Sequence, residues 1–353
     1  FDDYYGFMAA DADNDRALVW RDHYPIEDWM GKPGYHWSEA MADEAIRNIT
    51  SHLSVSPDRP FMMFWAPVAM HSPHQAPPEY IEKYRGKFDM GWDKAREMIL
   101  ENQKELGIVP PDTKLTERID EIPAWDSLND DEKKLYTRMM EVFAGFVTYT
   151  DEQFGRILDF LEDIGELDNT LVMRISDNGA SSEGGPQGSV NENLFFNNVP
   201  ESLEENLAMI DELGGPKTFN HYAWGWTWAG NAPFRRWKRE TYRGGISDPF
   251  IVHWPAGIEA SGEVRTQYTH AIDMVPTVLD ALGVETPPSI RGVTQSPIEG
   301  TSFLASFDND AAPSVRTTQY FEMMGHRSLY HDGWRAVCPW PGPSFTEAGA
   351  FFG

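Results

Sequence analysis

The sequence predicts an α/β fold, and three observations carry that expectation. Short, nearly continuous apolar runs at 61–68, 170–175 and 249–254 have the length and composition of strands buried on both faces. Between the first two, Leu135, Met139, Phe143, Phe146, Phe154, Ile157, Leu158 and Leu161 recur at spacings built from three and four, the pattern of a long amphipathic helix. The 29 Gly and 25 Pro punctuate the chain too often for a helical bundle and suit a loop-rich enzyme scaffold.

The first run, Phe61-Met-Met-Phe-Trp-Ala-Pro-Val68, ends around Pro67, which cannot donate to a ladder. The long helix is expected over 129–162, with Asn129 and Glu132 spaced as a cap. A short link through Gly165 leads to the second strand, and the third follows at 249–254. A further helix is expected over 273–282, closed by Gly283, with Pro276 tolerated in its first turn. The stretches 72–128 and 178–245 read as long connections, a length that usually accompanies function. Within the second, 197–215 reads as a short surface helix. We assign 1–289 to one α/β domain and 290–353 to a C-terminal segment that starts a smaller subdomain.

With 353 residues, 41% of them hydrophobic, the chain can bury one large core or two modest ones. Its 29 basic against 56 acidic residues give a formal charge of −27, the wrong sign for wrapping nucleic acid or lying on anionic lipid, so neither partner is expected. No run approaches the roughly 18 apolar residues of a membrane span. The opening Phe1-Asp2-Asp3-Tyr4 has no basic n-region or apolar h-region. The expectation is a soluble protein, leaning to the cytoplasm with the periplasm left open. One cysteine, Cys338, excludes an internal disulfide framework and a multi-cysteine zinc site.

Three segments carry chemistry. Ser176-Asp177-Asn178-Gly179 follows the second strand, where open α/β sheets build ligand sites; the hard oxygens of Asp177 and Asn178 suit Ca²⁺ or Mg²⁺. A Gly-rich turn whose Asp and Asn only bond the backbone fits the same residues. His71-Ser72-Pro73-His74-Gln75-Ala76-Pro77 puts two histidines after the first strand, and a strand-end His can protonate a leaving group, although carbonyl-satisfied histidines would look the same. Arg235, Arg236 and Lys238 then place a dense positive cluster in a strongly acidic protein, which points to an anionic substrate or to a solvated surface run.

Taken in order, FDDYYGF, HSPHQAP, SDNGASSEGGPQGS, HYAWGWTWAGNAPFRRWKRETYRGG with PFIVHWPAGI, HAIDMVPTVLDALGV, GVTQSPIEGTSF and YFEMMGHRSLYHDGWRAV resemble the type I sulfatases of the alkaline phosphatase superfamily, specifically bacterial arylsulfatases. The resemblance covers essentially the whole chain. It implies a mixed central sheet flanked by helices, incomplete at both ends, and hydrolysis of a small sulfate ester. It implies that Asp177 and Asn178 are metal ligands, Ca²⁺ being favoured over Mg²⁺, that His71 contacts the sulfate or the leaving oxygen, and that Lys238 neutralises sulfate charge. His74 and His221 lie in matching segments with weaker claims.

The family's nucleophile is a formylglycine made by a formylglycine-generating enzyme from the Cys of a C-x-P-x-R motif. Cys338-Pro339-Trp340-Pro341-Gly342 departs from that motif, so Cys338 reads as structural. The family's leading Asp-Asp pair and G-K-W-H segment are absent as well. The chain therefore reads as an N-terminally truncated fragment, inactive alone, of an active parent protein. Two alternatives stand beside this reading. One is a phosphoester or phosphonate hydrolase of the same superfamily, which commonly shows Asp-His where this chain has Asp177-Asn178. The other is a non-catalytic carbohydrate-binding module with Trp224, Trp226 and Trp228 as a stacking platform.

Overall fold

The computed structural model describes residues 1–340. An antiparallel meander opens the chain, formed by β1 (Tyr5–Gly6), β2 (Val19–Arg21) and β3 (Tyr24–Ile26). It lies against α1 (Trp37–Val55), with the Tyr5 ring stacked on Trp37 at 5.1 Å. Helix α1 was not anticipated from the sequence. Its buried face, Met41, Ala42, Ala45 and Ile49, has helical spacing but is built largely of alanine and a single methionine, too weakly apolar to stand out.

The run 61–68 corrects the sequence-based expectation. It is not a strand among the described residues. Met62 and Phe64 are exposed, while Phe61, Met63 and Trp65 pack on the cluster formed by Ala42, Ala45, Ile49, Ile157 and Leu161. An apolar run implies a twice-covered strand only if both faces find cover; here one face does. The two long connections also carry helices: α2 (Pro78–Glu82) and α3 (Gly91–Glu105) in the first. The interior-facing residues of α3, Trp92, Arg96 and Leu100, include a buried arginine, which breaks the apolar signal.

Helix α4 (Asp130–Asp163) forms as expected, with the Asn129 and Glu132 side chains each bonding the other's backbone amide at 2.9 Å. Leu135, Met139, Val142 and Phe146 are its innermost residues and the centre of the main core. It packs on α1, where Ser38 and Thr150 share a hydroxyl bond of 3.1 Å. Strand β4 (Val172–Ile175) follows.

Between β4 and the next strand lie α5 (Glu192–Phe196), α6 (Leu203–Ala208), α7 (Trp224–Gly230) and α8 (Arg243–Ile246). Helix α6 is the expected short surface helix. Trp224, Trp226 and Trp228 on α7 are all buried, packed among Trp92, Trp125 and Trp237, which removes the stacking platform. Strand β5 (Phe250–His253) pairs antiparallel with β4 in register Ile175↔Phe250. Arg174, Ile251 and His253 on one face are exposed, while Met173, Phe250 and Val252 on the other are half-buried, so these two strands are covered on one face rather than two. Helix α9 (Met274–Ala281) occupies the expected place, with Gly283 at φ 63° just beyond it. A small hairpin, β6 (Ser289–Ile290) and β7 (Val293–Thr294), and a meander of β8 (Thr318–Met323), β9 (His326–His331) and β10 (Trp334–Cys338) complete the described chain. Cys338 lies on β10, exposed. No helix among the described residues is long and apolar enough to cross a membrane.

Candidate active site

The β4–β5 register fixes the first part of the site. Because Ile175 faces Phe250, the two chains leaving the ladder carry Asp177 and Asp248 side by side, and the Ser176 amide bonds the Pro249 carbonyl at 3.3 Å. Burial, and then the neighbouring Asp177, pushes the Asp248 carboxyl up to about 7. The loop after β4 is bound on its other side by the segment that carries the cations. The Gly179 amide donates to the Gly245 carbonyl at 3.2 Å, and the Lys238 amide to the Ala180 carbonyl at 3.1 Å. A Cβ on residue 179 would stand 1.7 Å from the Gly244 carbonyl oxygen, so only glycine permits this approach. The Asn231 side chain ties both segments, accepting from the Ala180 amide and donating to the Arg236 carbonyl. Helix α7 braces the next turn: Thr227 Oγ1 and Trp224 Nε1 donate to the carbonyls of Ser181 and Ser182, each at 2.7 Å.

What this turn buries is Glu183. Its Oε2 accepts from Lys238 Nζ at 2.8 Å and from Ser181 Oγ at 2.8 Å, and stands 3.6 Å from His71 Nε2. Its Oε1 accepts from Arg239. Glu183 is 3% exposed and His71 31%, so the histidine lies at the mouth and the carboxylate at the floor. Burial pushes the Glu183 carboxyl up, but Lys238 and Arg239 outweigh it and hold the group at about 2. His71 Nδ1 lies 2.8 Å from the Ser72 carbonyl, an acceptor only, which assigns the Nδ1–H there and turns Nε2 toward Glu183. The positive cluster seen in the sequence is thus largely answered from within, since Arg236 pairs with Glu121 and Glu240.

A buried polar layer backs this floor. His74 does not share the position of His71; it is fully buried against Phe143, Tyr222 and His221, the two imidazoles 4.7 Å apart. Burial pushes His74 well below the ordinary imidazole range and His221 down to about 4, so both are neutral near pH 7. Glu192, also fully buried, has its carboxyl pushed up to about 7, first by burial and then by Glu183 among its neighbours.

Among the four predicted residues, His71 and Lys238, 167 positions apart, meet at one carboxylate oxygen. Asp177 and Asn178 lie at the carboxyl end of β4, one exposed and one half-buried. The Asn178 amide nitrogen donates to the Gly179 carbonyl. The donor chemistry suits a hard cation, because Asp248 adds a second carboxylate with a buried oxygen that has no hydrogen-bond partner. Among the described residues no group of three or more His, Cys, Asp or Glu side chains is placed to hold a metal ion. Glu183, Arg239, Glu192 and Asp248 escaped the sequence reading. The one signal was the acid within Ser182-Glu183-Gly184-Gly185, where a Cβ at residue 184 would meet the Tyr222 carbonyl oxygen at 2.5 Å.

The sequence model of the sulfatase family matches residues 1–284, most of the chain. The chain belongs to the sulfatase family. The chain is 30% identical to an uncharacterized sulfatase of Schizosaccharomyces pombe over 325 residues, covering 91% of this chain and 56% of that protein. It is 27% identical to an arylsulfatase of Klebsiella aerogenes over 273 residues, covering 77% of this chain and 56% of that one. The chain therefore spans about half the length of these relatives. Among solved structures, a protein in complex with its substrate D-glucosamine-2-N,6-O-disulfate superposes with a TM-score of 0.57 at 20% identity, over 97% of this chain and 67% of that one. That likeness is one of fold, the alkaline phosphatase-like architecture of sulfatases.

Proposed function

We propose that the protein carrying this chain hydrolyses sulfate esters in the manner of an arylsulfatase, with His71 and Lys238 acting on the ester and Asp177 and Asn178 holding part of a Ca²⁺ site. One observation carries the reading: the His71 imidazole and the Lys238 ammonium converge on Glu183 Oε2 beside the loop that bears Asp177. Breaking an S–O ester bond moves charge onto the sulfuryl oxygens and the departing oxygen. A fixed ammonium favours the first, and an acid with an accessible N–H quenches the second. Lys238 Nζ supplies the cation. His71 acts as an acid in its imidazolium form, in which the Ser72 carbonyl holds Nδ1–H and Nε2–H at the mouth supplies the proton that passes to the leaving oxygen.

A bound Ca²⁺ would withdraw charge from a sulfuryl oxygen, and a formylglycine outside these 353 residues, installed by a formylglycine-generating enzyme, would supply the oxygen that attacks sulfur. The 353 residues hold no C-x-P-x-R, so this chain tested alone is expected to be inactive. The similarity to the Klebsiella arylsulfatase favours aryl esters as first substrates. The test is to assay the intact formylglycine-bearing protein on p-nitrophenyl sulfate and p-nitrophenyl phosphate in parallel. A kcat/KM at least about tenfold higher for the sulfate supports the reading; preference for the phosphate assigns it instead to phosphoester hydrolysis.

A further inference from the structure

We infer that Glu183 is a positioning residue of this site, acting through Lys238, and that Arg239 balances its charge so that the site keeps a surplus cation for an anionic ester. The inference rests on the reading of Lys238 and His71 given above.

A carboxylate on the floor of a site meant for an anion looks counterproductive, and its placement resolves the conflict. Its two oxygens are divided: Oε1 takes Arg239, whereas Oε2 takes Lys238 and Ser181 and faces His71 Nε2. One negative charge thus meets two fixed positive ones. Replacing Glu183 by a neutral residue would leave two cations half-buried and uncompensated, while removing Arg239 would leave Lys238 fully neutralised. A lysine carries long, rotatable methylenes, and a 2.8 Å bond from a buried acceptor is the means by which such a chain is held in one rotamer before the ester arrives. The acceptor is itself fixed, because Ser181 bonds the Glu183 carboxylate and amide and α7 holds the Ser181 and Ser182 carbonyls.

The deciding experiment is a double-mutant cycle in the intact enzyme with p-nitrophenyl sulfate. Glu183→Gln is expected to lower kcat by about ten- to a hundredfold with KM changed by less than about threefold, and Glu183→Asp to recover part of the loss. In a Lys238→Ala background the same Glu183→Gln change is expected to cost less than about threefold, because a residue that acts through Lys238 has nothing left to position. Multiplicative losses in the two backgrounds, or a full rate in E183Q, overturn the inference while leaving sulfate-ester hydrolysis intact. If E183Q does not fold, the charge-balanced pair E183Q/R239Q takes its place in the cycle. If the wild-type enzyme hydrolyses no sulfate ester, the function fails and positioning is judged separately. Lysines are then ¹³C-methylated and the Lys238 signal assigned with K238R. That signal is expected to stand apart from exposed lysines and to join them in E183Q/R239Q; a signal unmoved by the loss of Glu183 overturns the inference.

Discussion

Lys238 Nζ lies 2.8 Å from Glu183 Oε2, an ion pair joining residues 55 positions apart, its carboxylate buried and its lysine half-buried. Beside it Glu192 is pushed up to about 7, first by burial, and Glu183 is held at about 2 by the cations that face it, two buried glutamates moved in opposite directions.

The glutamates give stability opposite pH dependences. Glu183, lower when folded than its ordinary 4.5, contributes stability that is full above about pH 4.5 and is lost as pH falls toward about 2. Glu192, higher when folded, contributes stability that is full below about 4.5 and lost as pH rises through about 7; at about 1.36 kcal/mol per pH unit that loss is on the order of 3 kcal/mol. Glu192→Gln, neutral at all pH, is expected to flatten the decline between pH 5 and 8 and to exceed the wild type in stability at pH 8. Urea denaturation at several pH values checks it; an unchanged slope would mean that Glu192 ionises freely.

Arg96 is fully buried, bonds the Pro233 and Phe234 carbonyls at 3.0 and 2.7 Å, and lies 4.3 Å over the Trp228 ring. Arg96→Met leaves the Phe234 carbonyl, in the segment leading to Lys238, without its donor and takes one donor from the Pro233 carbonyl, which Thr116 also bonds. It is expected to cost about 3 kcal/mol in chemical denaturation, against less than 0.5 kcal/mol for a surface change on the same helix such as Lys94→Met, roughly.

Two glycines should respond in opposite senses. Gly184→Ala forces a Cβ against the Tyr222 carbonyl and the His221 ring and is expected to destabilise by about 1–3 kcal/mol. Gly155→Ala, within α4 with nothing near the new Cβ, is expected to stabilise by about 0.5–1 kcal/mol. Thermal melts of both decide it; equal effects would contradict the packing described.

Calcium added to this chain alone is expected to raise the melting temperature by less than about 1 °C. Asp177, Asn178 and Asp248 are too few oxygens for a tight site, and stabilisation follows RT ln(1 + [L]/Kd). Saturable binding at micromolar calcium would mean that the site lies elsewhere.

How much of this was legible in the sequence depends on how locally each feature is decided. Helix α4 and its Asn129 cap were readable because periodicity and capping are encoded within a few residues. Strands β4 and β5 were readable as apolar runs, but their one-sided cover was not, since Ile251 is exposed for want of neighbours on its face rather than for any local reason. His71 and Lys238 were singled out through motif segments, and the fold brings them to one carboxylate oxygen. Glu183 was invisible because its meaning lies in Lys238, Arg239 and His71, all distant in the chain, and an acid in a Gly-rich turn looks solvated until the fold buries it.

The most direct test of the account is the rate of p-nitrophenyl sulfate hydrolysis by the intact, formylglycine-bearing protein and its Lys238→Ala variant, compared as kcat/KM. The account predicts measurable hydrolysis by the wild type and a loss of at least about a hundredfold in the variant, the scale for removing one preorganised charge-stabilising donor. No hydrolysis by the wild type, or a variant within about threefold of it, would contradict the assignment of Lys238 and of the site built around it.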